Sequence, residues 1–368
     1  MKFLDLESQQ KRIRKSLKVR LNNVLDHGAY IMGPEIYELE EKLADYCGVK
    51  HAISCSSGTD ALLIPLMAWD IGPGDAVFTT PFTYVATAEV ISLLGATPVF
   101  VDVYKSTFNI DCEKLEIAIQ ETITNTELTP KAIIPVDLFG VPARYRIIES
   151  IAKKYNLKVI EDAAQSFGGS IGNKKVGTFG DIAATSFYPA KPLGCYGDGG
   201  AIFTNNDNLA EKCKAIRIHG TRDDKYNSEM IGLNGRLDSI QAAVLLEKLT
   251  IFDDELHSRQ QISNHYRKNL KNFQYIPQNY FSSHALFSII LDSEEERNST
   301  IERLKKNNIP TMVYYKHPIH LMKGFSHLGY SNGDLPISEK LSKNILSLPM
   351  HSYLSENDID LIARNINE

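Results

Sequence analysis

The sequence predicts an α/β fold with two domains: a large domain of helices around a mostly parallel sheet, and a small C-terminal α+β domain. Two observations lead to this prediction. From residue 51 to residue 204, short β-rich segments alternate with helix-patterned stretches, which is typical of a parallel sheet covered on both faces. After Leu237 this alternation ends and a long helical stretch follows. We therefore expect domains of residues 1–245 and 246–368.

Two helices are predicted before the first strand. Residues 8–26 carry apolar side chains at helical spacing, among them Ile13 and Leu17. The second helix is expected to begin at Gly33-Pro34, because proline suits the first turn, and to end near Gly48.

Seven strands are predicted in the large domain, with right-handed crossovers between the parallel ones. They are His51–Cys55, Ala76–Thr80, Thr97–Val103, Ala132–Val136, Lys158–Ile160, Ile182–Phe187 and Ala201–Thr204. Helix-patterned stretches lie between several of them, such as Cys112–Gln120 and Arg144–Tyr155.

The C-terminal part has a different pattern. Residues 237–271 indicate one long helix or a bent pair that leaves the large domain. They are followed by a strand at Ala285–Leu291, a helix at Glu294–Asn307, a strand at Thr311–Tyr315 and two late helices.

Composition excludes several classes of protein. Of 368 residues, 43% are hydrophobic and 23% charged, which is ordinary for a globular protein and argues against disorder. The formal net charge of −5 argues against a nucleic-acid partner, because phosphate binding needs a surplus of Lys and Arg.

The sequence also predicts a cytoplasmic protein without a membrane segment. No apolar run approaches the length of a membrane-spanning helix, and the N-terminus is charged too early for a signal peptide. The five cysteines include no C-x-x-C pair, so we expect reduced thiols and no metal site.

Three segments could carry chemistry. In the first, residues 54–62, a strand is followed by a turn and a helix that begins near Gly58. The free N–H groups of such a helix start favour an anion, most often phosphate, and Thr59 adds a hydroxyl. Taken alone, the segment is equally well explained as a helix cap. Pro65 lies inside this helix and should kink it.

The second and third segments supply a carboxylate and an amine. Asp162 follows an apolar strand, at the sheet edge where α/β proteins bind ligands, although it could equally be a turn or cap residue. Lys191 lies between two prolines in a segment of small residues, where desolvation would favour its neutral, nucleophilic amine. Ser186, five residues earlier, could donate to a phosphate.

Together, these segments suit pyridoxal 5′-phosphate (PLP). A lysine can form a Schiff base with this cofactor, a carboxylate can keep its ring nitrogen protonated, and a helix start can bind its phosphate. At these residues the chain resembles the DegT/StrS family of PLP-dependent nucleotide-sugar aminotransferases, which have fold type I, the aspartate aminotransferase type. The resemblance covers nearly the whole chain and rests on SGTDAL, PFTYVATAE, VIEDAAQS, TSFYPAKPLGCYGDGGA, NGRLDSIQAA and LPMHSYLS.

The resemblance implies roles for individual residues. Lys191 is the Schiff-base lysine and proton shuttle, and Asp162 pairs with the ring nitrogen. The other expected cofactor contacts are Gln165 at the ring hydroxyl, Tyr84 on the ring face, and Gly58, Thr59 and Ser186 at the phosphate. The family also implies a homodimer with shared active sites, in which Asn234 reaches the phosphate of the neighbouring subunit. Ser57 departs from the family, which usually has Asn there.

The implied reaction transfers an amino group from L-glutamate to a nucleotide-linked keto-sugar. The similarity favours C3 of a UDP-2-acetamido-3-keto-hexuronate, in surface polysaccharide (O-antigen, lipopolysaccharide) biosynthesis. C3 or C4 amination of a dTDP- or UDP-linked 6-deoxy sugar, dehydration, and a non-catalytic regulatory role remain alternatives. Five residues are candidates for binding the substrate, each with a structural role as its alternative: Arg236, Tyr314, Tyr315, Lys316 and His317.

Overall fold

The computed structural model describes residues 1–367. Its helices are α1 (Leu6–His27), α2 (Pro34–Cys47), α3 (Gly58–Ala68), α4 (Ala86–Leu93), α5 (Cys112–Asn125), α6 (Tyr145–Tyr155), α7 (Asp207–Arg217), α8 (Ser239–Leu249), α9 (Phe252–Asn269), α10 (Glu294–Lys306), α11 (Pro336–Asn344) and α12 (Glu356–Asn367). Its strands are β1 (His51–Cys55), β2 (Asp75–Thr79), β3 (Thr97–Phe100), β4 (Thr129–Ile134), β5 (Lys158–Asp162), β6 (Ser170–Ile171), β7 (Lys174–Lys175), β8 (Ile182–Ser186), β9 (Gly200–Thr204), β10 (Tyr280–Phe281), β11 (Phe287–Ile290) and β12 (Ile345–Leu348).

The central sheet contains all seven predicted strands, in the order β1-β9-β8-β5-β4-β2-β3. The pairs from β8 to β3 are parallel, whereas β9 runs antiparallel to both of its neighbours. The prediction of a mostly parallel sheet is therefore confirmed. Because parallel strands end at the same edge, the loops after β5 and β8 lie close together.

Helices cover both faces of this sheet. Neighbouring residues of one strand enter different cores: Ile160 packs with side chains of α3 and α7, and Val159 with those of α5 and α6. At the other end of the sheet, Phe203 packs with side chains of α2 and α8. Because of this alternation, all of β9 and all of β5 except Lys158 are buried. The result is a three-layer arrangement of helix, sheet and helix.

The helical stretch after Leu237 is a bent pair, α8 and α9, separated at Thr250 and Ile251. The expectation that the whole stretch leaves the large domain is wrong for α8, which packs against α1 and α2, whereas α9 packs against α12. The reason is the apolar composition of α8, since Leu245 and Leu246 lie in the same core as Leu39. A division at residue 245 thus falls inside α8 and stays a prediction.

The predicted strand at Thr311–Tyr315 is wrong. Only Met312 pairs, through an isolated bridge to Ser347, and the small sheet instead joins β11 to β12, which was not predicted as a strand. Beyond Met312 the chain leaves this sheet, and the ring of Tyr315 packs edge-on against Phe82 of the large domain. The predicted strand at Thr97–Val103 is shorter and ends at Phe100. Among residues 1–367, no helix is both long and apolar enough to cross a membrane.

Candidate active site

The three chemical segments meet at the carboxyl edge of the central sheet. Asp162 is the last residue of β5, and Ser186 is the last residue of β8. These two strands pair in parallel, with Asp162 opposite Ala184, so both residues face the same edge. The turn that follows β1 leads into α3 at Gly58. Sheet topology therefore brings together residues that are more than 100 positions apart in the chain.

Ser57, Gly58, Thr59 and Ser186 form an anion cradle at the start of α3. The Ser57 hydroxyl accepts the Asp60 N–H at 3.0 Å and caps the helix, while the first N–H groups of a helix have no partner within it. A Cβ atom at position 58 would lie 2.6 Å from the Ser186 Cβ atom. Only glycine fits there, which leaves the helix start open to an anion. The helix continues through Pro65 to Ala68.

Asp162 is 3% exposed, and its side chain is held by two donors. The Thr87 hydroxyl donates to Oδ2 at 2.8 Å, and the Ala164 N–H donates to Oδ1 at 3.2 Å. Burial raises the pKa of the Asp162 carboxyl, and these donors and Lys191 partly offset that rise. A buried carboxylate with few donors is well suited to pair with a cationic group of a ligand.

Lys191 lies close enough to Asp162 for their charges to interact, although the two side chains form no ion pair. Burial lowers the pKa of its amine, and the Asp162 carboxylate opposes that shift. The chain turns tightly here, because the Lys191 N–H donates to the Tyr188 carbonyl at 2.8 Å. The pair thus combines an amine shifted toward its neutral form with a carboxylate able to balance a positive charge.

Lys248 supports this loop and was missed by the sequence analysis. It is 1% exposed and donates from Nζ to the Gly194 carbonyl at 2.5 Å, three residues after Lys191. Burial lowers the pKa of Lys248 to about 8. The sequence did contain a signal for this role, because Lys248 follows closely on the apolar stretch Ala242–Leu246. A lysine in such a helix is seldom buried unless a specific partner binds its amine.

Gln165 connects the sheet edge to the C-terminal part. Its Oε1 accepts the Phe139 N–H at 2.8 Å, and its Nε2 donates to the Tyr315 hydroxyl at 2.9 Å. These two bonds fix both the position and the orientation of the amide. Tyr315 thereby reaches the site, and its ring also stacks on Phe139.

Tyr84 and Tyr314 differ in exposure. The Tyr84 side chain is 58% exposed and lies three residues before Thr87, the residue that holds Asp162. An exposed ring near this edge can cover a planar ligand. Tyr314 is partly buried, with its ring 6.4 Å from that of Phe3.

The remaining substrate candidates are polar, and Arg236 is less exposed than Lys316 and His317. Arg236 donates to the Asn234 side chain at 2.5 Å, and its buried Nε has no hydrogen-bond partner among residues 1–367. Between these two residues, the Gly235 carbonyl accepts the Ser56 N–H at 3.0 Å, which fixes the segment behind the turn before α3. Lys316 and His317 are exposed, and neither forms a hydrogen bond or an ion pair with Asp162 or Lys191.

Comparison with known proteins identifies the family. The model of the DegT/DnrJ/EryC1/StrS aminotransferase family matches residues 11–367. The UDP-2-acetamido-2-deoxy-3-oxo-D-glucuronate aminotransferase of Pseudomonas aeruginosa is 45% identical over 99% of this chain and 98% of its own length.

Solved structures agree with this match. A DegT DnrJ EryC1 StrS aminotransferase from Brucella abortus is 49% identical and covers 100% of this chain and 98% of its own, with a TM-score of 0.96. The Bacillus subtilis protein ntda, solved with bound cofactor PMP, is 30% identical and covers 97% of this chain and 82% of its own, with a TM-score of 0.88. The fold-type prediction is therefore confirmed, and the chain belongs to the DegT/DnrJ/EryC1/StrS aminotransferase family.

Proposed function

We propose that this chain is a PLP-dependent aminotransferase that moves an amino group from L-glutamate to the keto group of a nucleotide-linked sugar. The observation that carries the proposal is the Lys191–Asp162 pair beside the anion cradle. Family membership and the similarity to the UDP-2-acetamido-2-deoxy-3-oxo-D-glucuronate aminotransferase of Pseudomonas aeruginosa support it. The substrate we favour is a UDP-2-acetamido-3-keto-hexuronate aminated at C3.

The residues at the sheet edge fit PLP. The open start of α3, with Gly58, Thr59 and Ser186, suits a phosphate dianion, because a side chain at position 58 would meet Ser186. Asp162 would hold the ring nitrogen in its protonated form, Gln165 would lie at the ring hydroxyl, and Tyr84 would cover one ring face. When bound, PLP withdraws electrons from the carbon that carries the amino group.

Lys191 then transfers protons, and Asp162 stabilises charge. Lys191 Nζ accepts the proton from the glutamate Cα as a general base and returns it as a general acid during amino transfer. Its lowered pKa increases the fraction of neutral amine available for the first of these roles. Asp162 remains ionised and stabilises positive charge at the ring nitrogen.

Positive charge near the site would recognise an anionic sugar nucleotide. Arg236 is partly exposed, and Lys316 is exposed. Either can bind a diphosphate or the uronate carboxylate, and Arg236 can do so with two parallel hydrogen bonds. Tyr314, Tyr315 and His317 would form the wall on the side of the C-terminal domain.

The functional unit that we propose is a cytoplasmic homodimer. In it, the partner subunit's Asn234 would reach the cofactor phosphate, so that each site needs both chains. The product would serve surface polysaccharide synthesis, such as that of an O-antigen of lipopolysaccharide.

Absorbance and mass spectrometry test the proposal. The purified protein with PLP should be yellow, and L-glutamate should bleach it as the amino group moves to the cofactor. A panel of UDP- and dTDP-linked 3-keto and 4-keto sugars, read by mass spectrometry, then identifies the acceptor. Amination of a 6-deoxy sugar alone would replace the uronate assignment. A protein that never takes up PLP would favour a regulatory role.

A further inference from the structure

Two buried carboxyl groups lie behind Asp162 and have no role in the chemistry described above. Asp137 follows β4, Glu161 precedes Asp162 in β5, and both side chains are 0% exposed. The Asp137 N–H donates to the Asp162 carbonyl at 3.1 Å, so the two strand ends are in direct contact.

Asp137 receives hydrogen bonds on both of its oxygens. Oδ1 accepts the Ala143 N–H at 2.8 Å and the Tyr145 hydroxyl at 2.7 Å. Oδ2 accepts the Ser166 hydroxyl at 2.8 Å. Three donors around one carboxyl group favour its ionised form.

Glu161 is less completely satisfied. Its Oε2 accepts the N–H groups of Gly177 at 3.0 Å and Phe179 at 3.1 Å. Its Oε1 is buried and receives no hydrogen bond from a donor among residues 1–367. Asp137 lies close by, because the ring of Tyr145, whose hydroxyl donates to Asp137, stacks at 4.6 Å on the ring of Phe179, whose N–H donates to Glu161. Asp137 is also an acceptor when ionised.

A shared proton resolves this arrangement. Two buried carboxyl groups this close together, neither of them ion-paired with a cation among residues 1–367, cannot both be ionised at reasonable cost. If Glu161 is protonated at Oε1, that oxygen becomes a donor and the Asp137 carboxylate becomes its acceptor. Glu161 Oε1 then has a hydrogen-bond partner, and the three groups that donate to Asp137 keep their acceptor.

The neighbouring charges agree with this placement of the proton. Burial raises the pKa of both carboxyl groups. On Asp137 the hydrogen bonds from Tyr145, Ala143 and Ser166 oppose that rise, whereas on Glu161 the charge of Asp137 adds to it. Burial raises the pKa of the neighbouring Tyr145 and Cys47, so both stay neutral at pH 7. The nearby cations are Lys174 and Lys175, whose amines lie over the rings of Phe179 and Tyr46. Lys191 lies beyond Asp162 and interacts with that residue.

We propose that Glu161 keeps its proton at neutral pH and donates it from Oε1 to Asp137, acting as a positioning residue for Asp162. The pair then carries one negative charge instead of two. That charge adds to the field of Asp162 at the sheet edge, and the Asp137 carboxylate fixes Ser166, the neighbour of Gln165. The effect on a bound cofactor rests on the proposed function, whereas the shared proton is a property of the fold alone.

Infrared spectroscopy of the cofactor-free protein tests the proton directly. The wild-type spectrum minus that of Glu161→Gln should contain the C=O stretch of a protonated carboxylic acid at pH 7. Labelling with glutamate carrying ¹³C at the side-chain carboxyl should shift this band, and labelling with the corresponding aspartate should not. Asp102→Asn is the matched control, because Asp102 is a buried carboxylate whose pKa is lowered by its hydrogen bonds, and this change should leave the band intact.

A shift with labelled aspartate would place the proton on Asp137 and overturn the assignment. Absence of the band would also overturn it, because Glu161 would then be ionised. Neither result depends on PLP binding, so failure here is distinguishable from failure of the proposed function.

The positioning role is tested by the pH midpoint of the absorbance of bound PLP. Glu161→Gln should leave this midpoint unchanged, because the amide donates to Asp137 in place of the acid and no charge is lost. The double change of Asp137→Asn with Glu161→Gln removes the remaining charge and should lower the midpoint by about one pH unit. A fall already in Glu161→Gln would show that Glu161 is ionised in the native protein, and an unshifted double variant would remove the positioning role.

Discussion

The two halves of the proposed site are built in different ways. On the large-domain side, Asp162, Ser186 and Gly58 lie at strand ends or at a helix start, each fixed by the central sheet. On the other side, Tyr314–His317 lie in an irregular segment, and only Tyr315 is tied to the sheet edge, through Gln165. Rigid elements position side chains precisely, whereas irregular segments can change more freely, so we expect the first half to serve the amino transfer and the second to select the sugar.

The strongest test of the large-domain half of the site, which we call the rigid half, is Lys191→Ala. Transamination should fall by at least about 10⁴-fold, because the variant loses both the cofactor-binding amine and the general base. Steady-state kinetics with glutamate measure this loss, and a small added amine should restore part of the rate. Lys15→Ala, at an exposed position of α1, should leave the rate unchanged. Substantial turnover in the Lys191 variant would remove the assignment.

Asp162→Asn should have the next largest effect. A neutral amide cannot stabilise positive charge on the ring nitrogen, so we expect kcat to fall by about 10²- to 10³-fold. The variant should still fold and bind PLP, because the amide oxygen can accept the Thr87 hydroxyl. Equal kcat values for variant and wild type would show that charge at this position is not used.

Gly58→Ala tests the cradle itself. The added methyl would lie 2.6 Å from the Ser186 Cβ atom and should weaken PLP binding about tenfold or more. Gly324→Ala is the matched control, since a Cβ atom at that position meets nothing within 4 Å. Fluorescence or absorbance titration with PLP measures both, and equal affinities would contradict the close approach.

Arg236→Gln should have the smallest effect, and it tests recognition of the sugar nucleotide. If Arg236 binds an anionic group of the sugar nucleotide, the KM for that substrate should rise about tenfold, which corresponds to one charge-assisted hydrogen bond. The half-reaction with glutamate should be unchanged, which separates substrate binding from damage to the cofactor site. An unaltered KM would place sugar recognition on other residues, such as Lys316.

Local patterns, combined with the resemblance to the family, led to the predicted residues of the large-domain half. The apolar strand before Asp162 and the prolines around Lys191 are visible within a few residues, and the alternation of strands and helices predicts the edge where they meet. The roles of these residues in catalysis stay predictions until the variants are measured.

Contacts between distant segments could not be predicted in this way. The bond from Gln165 to Tyr315 spans 150 residues, and the pairing of β11 with β12 replaced a strand that composition placed at Thr311–Tyr315. Asp137 and Glu161 likewise come close together because β4 and β5 are neighbours in the sheet. Composition indicates only the local preference of a segment for helix or strand, whereas these three features depend on tertiary packing.

The close approach of Gly58 to Ser186 also limits how this protein can be redesigned. A second glycine tightens the same turn, because a Cβ atom at position 200 would lie 2.3 Å from the Ser57 carbonyl oxygen. Positions 58, 186 and 200 therefore cannot be enlarged one at a time, and a library that randomises them independently would consist mainly of inactive clones. A cradle for a bulkier cofactor analogue would require the start of α3 to move away from β8 and β9 as a unit.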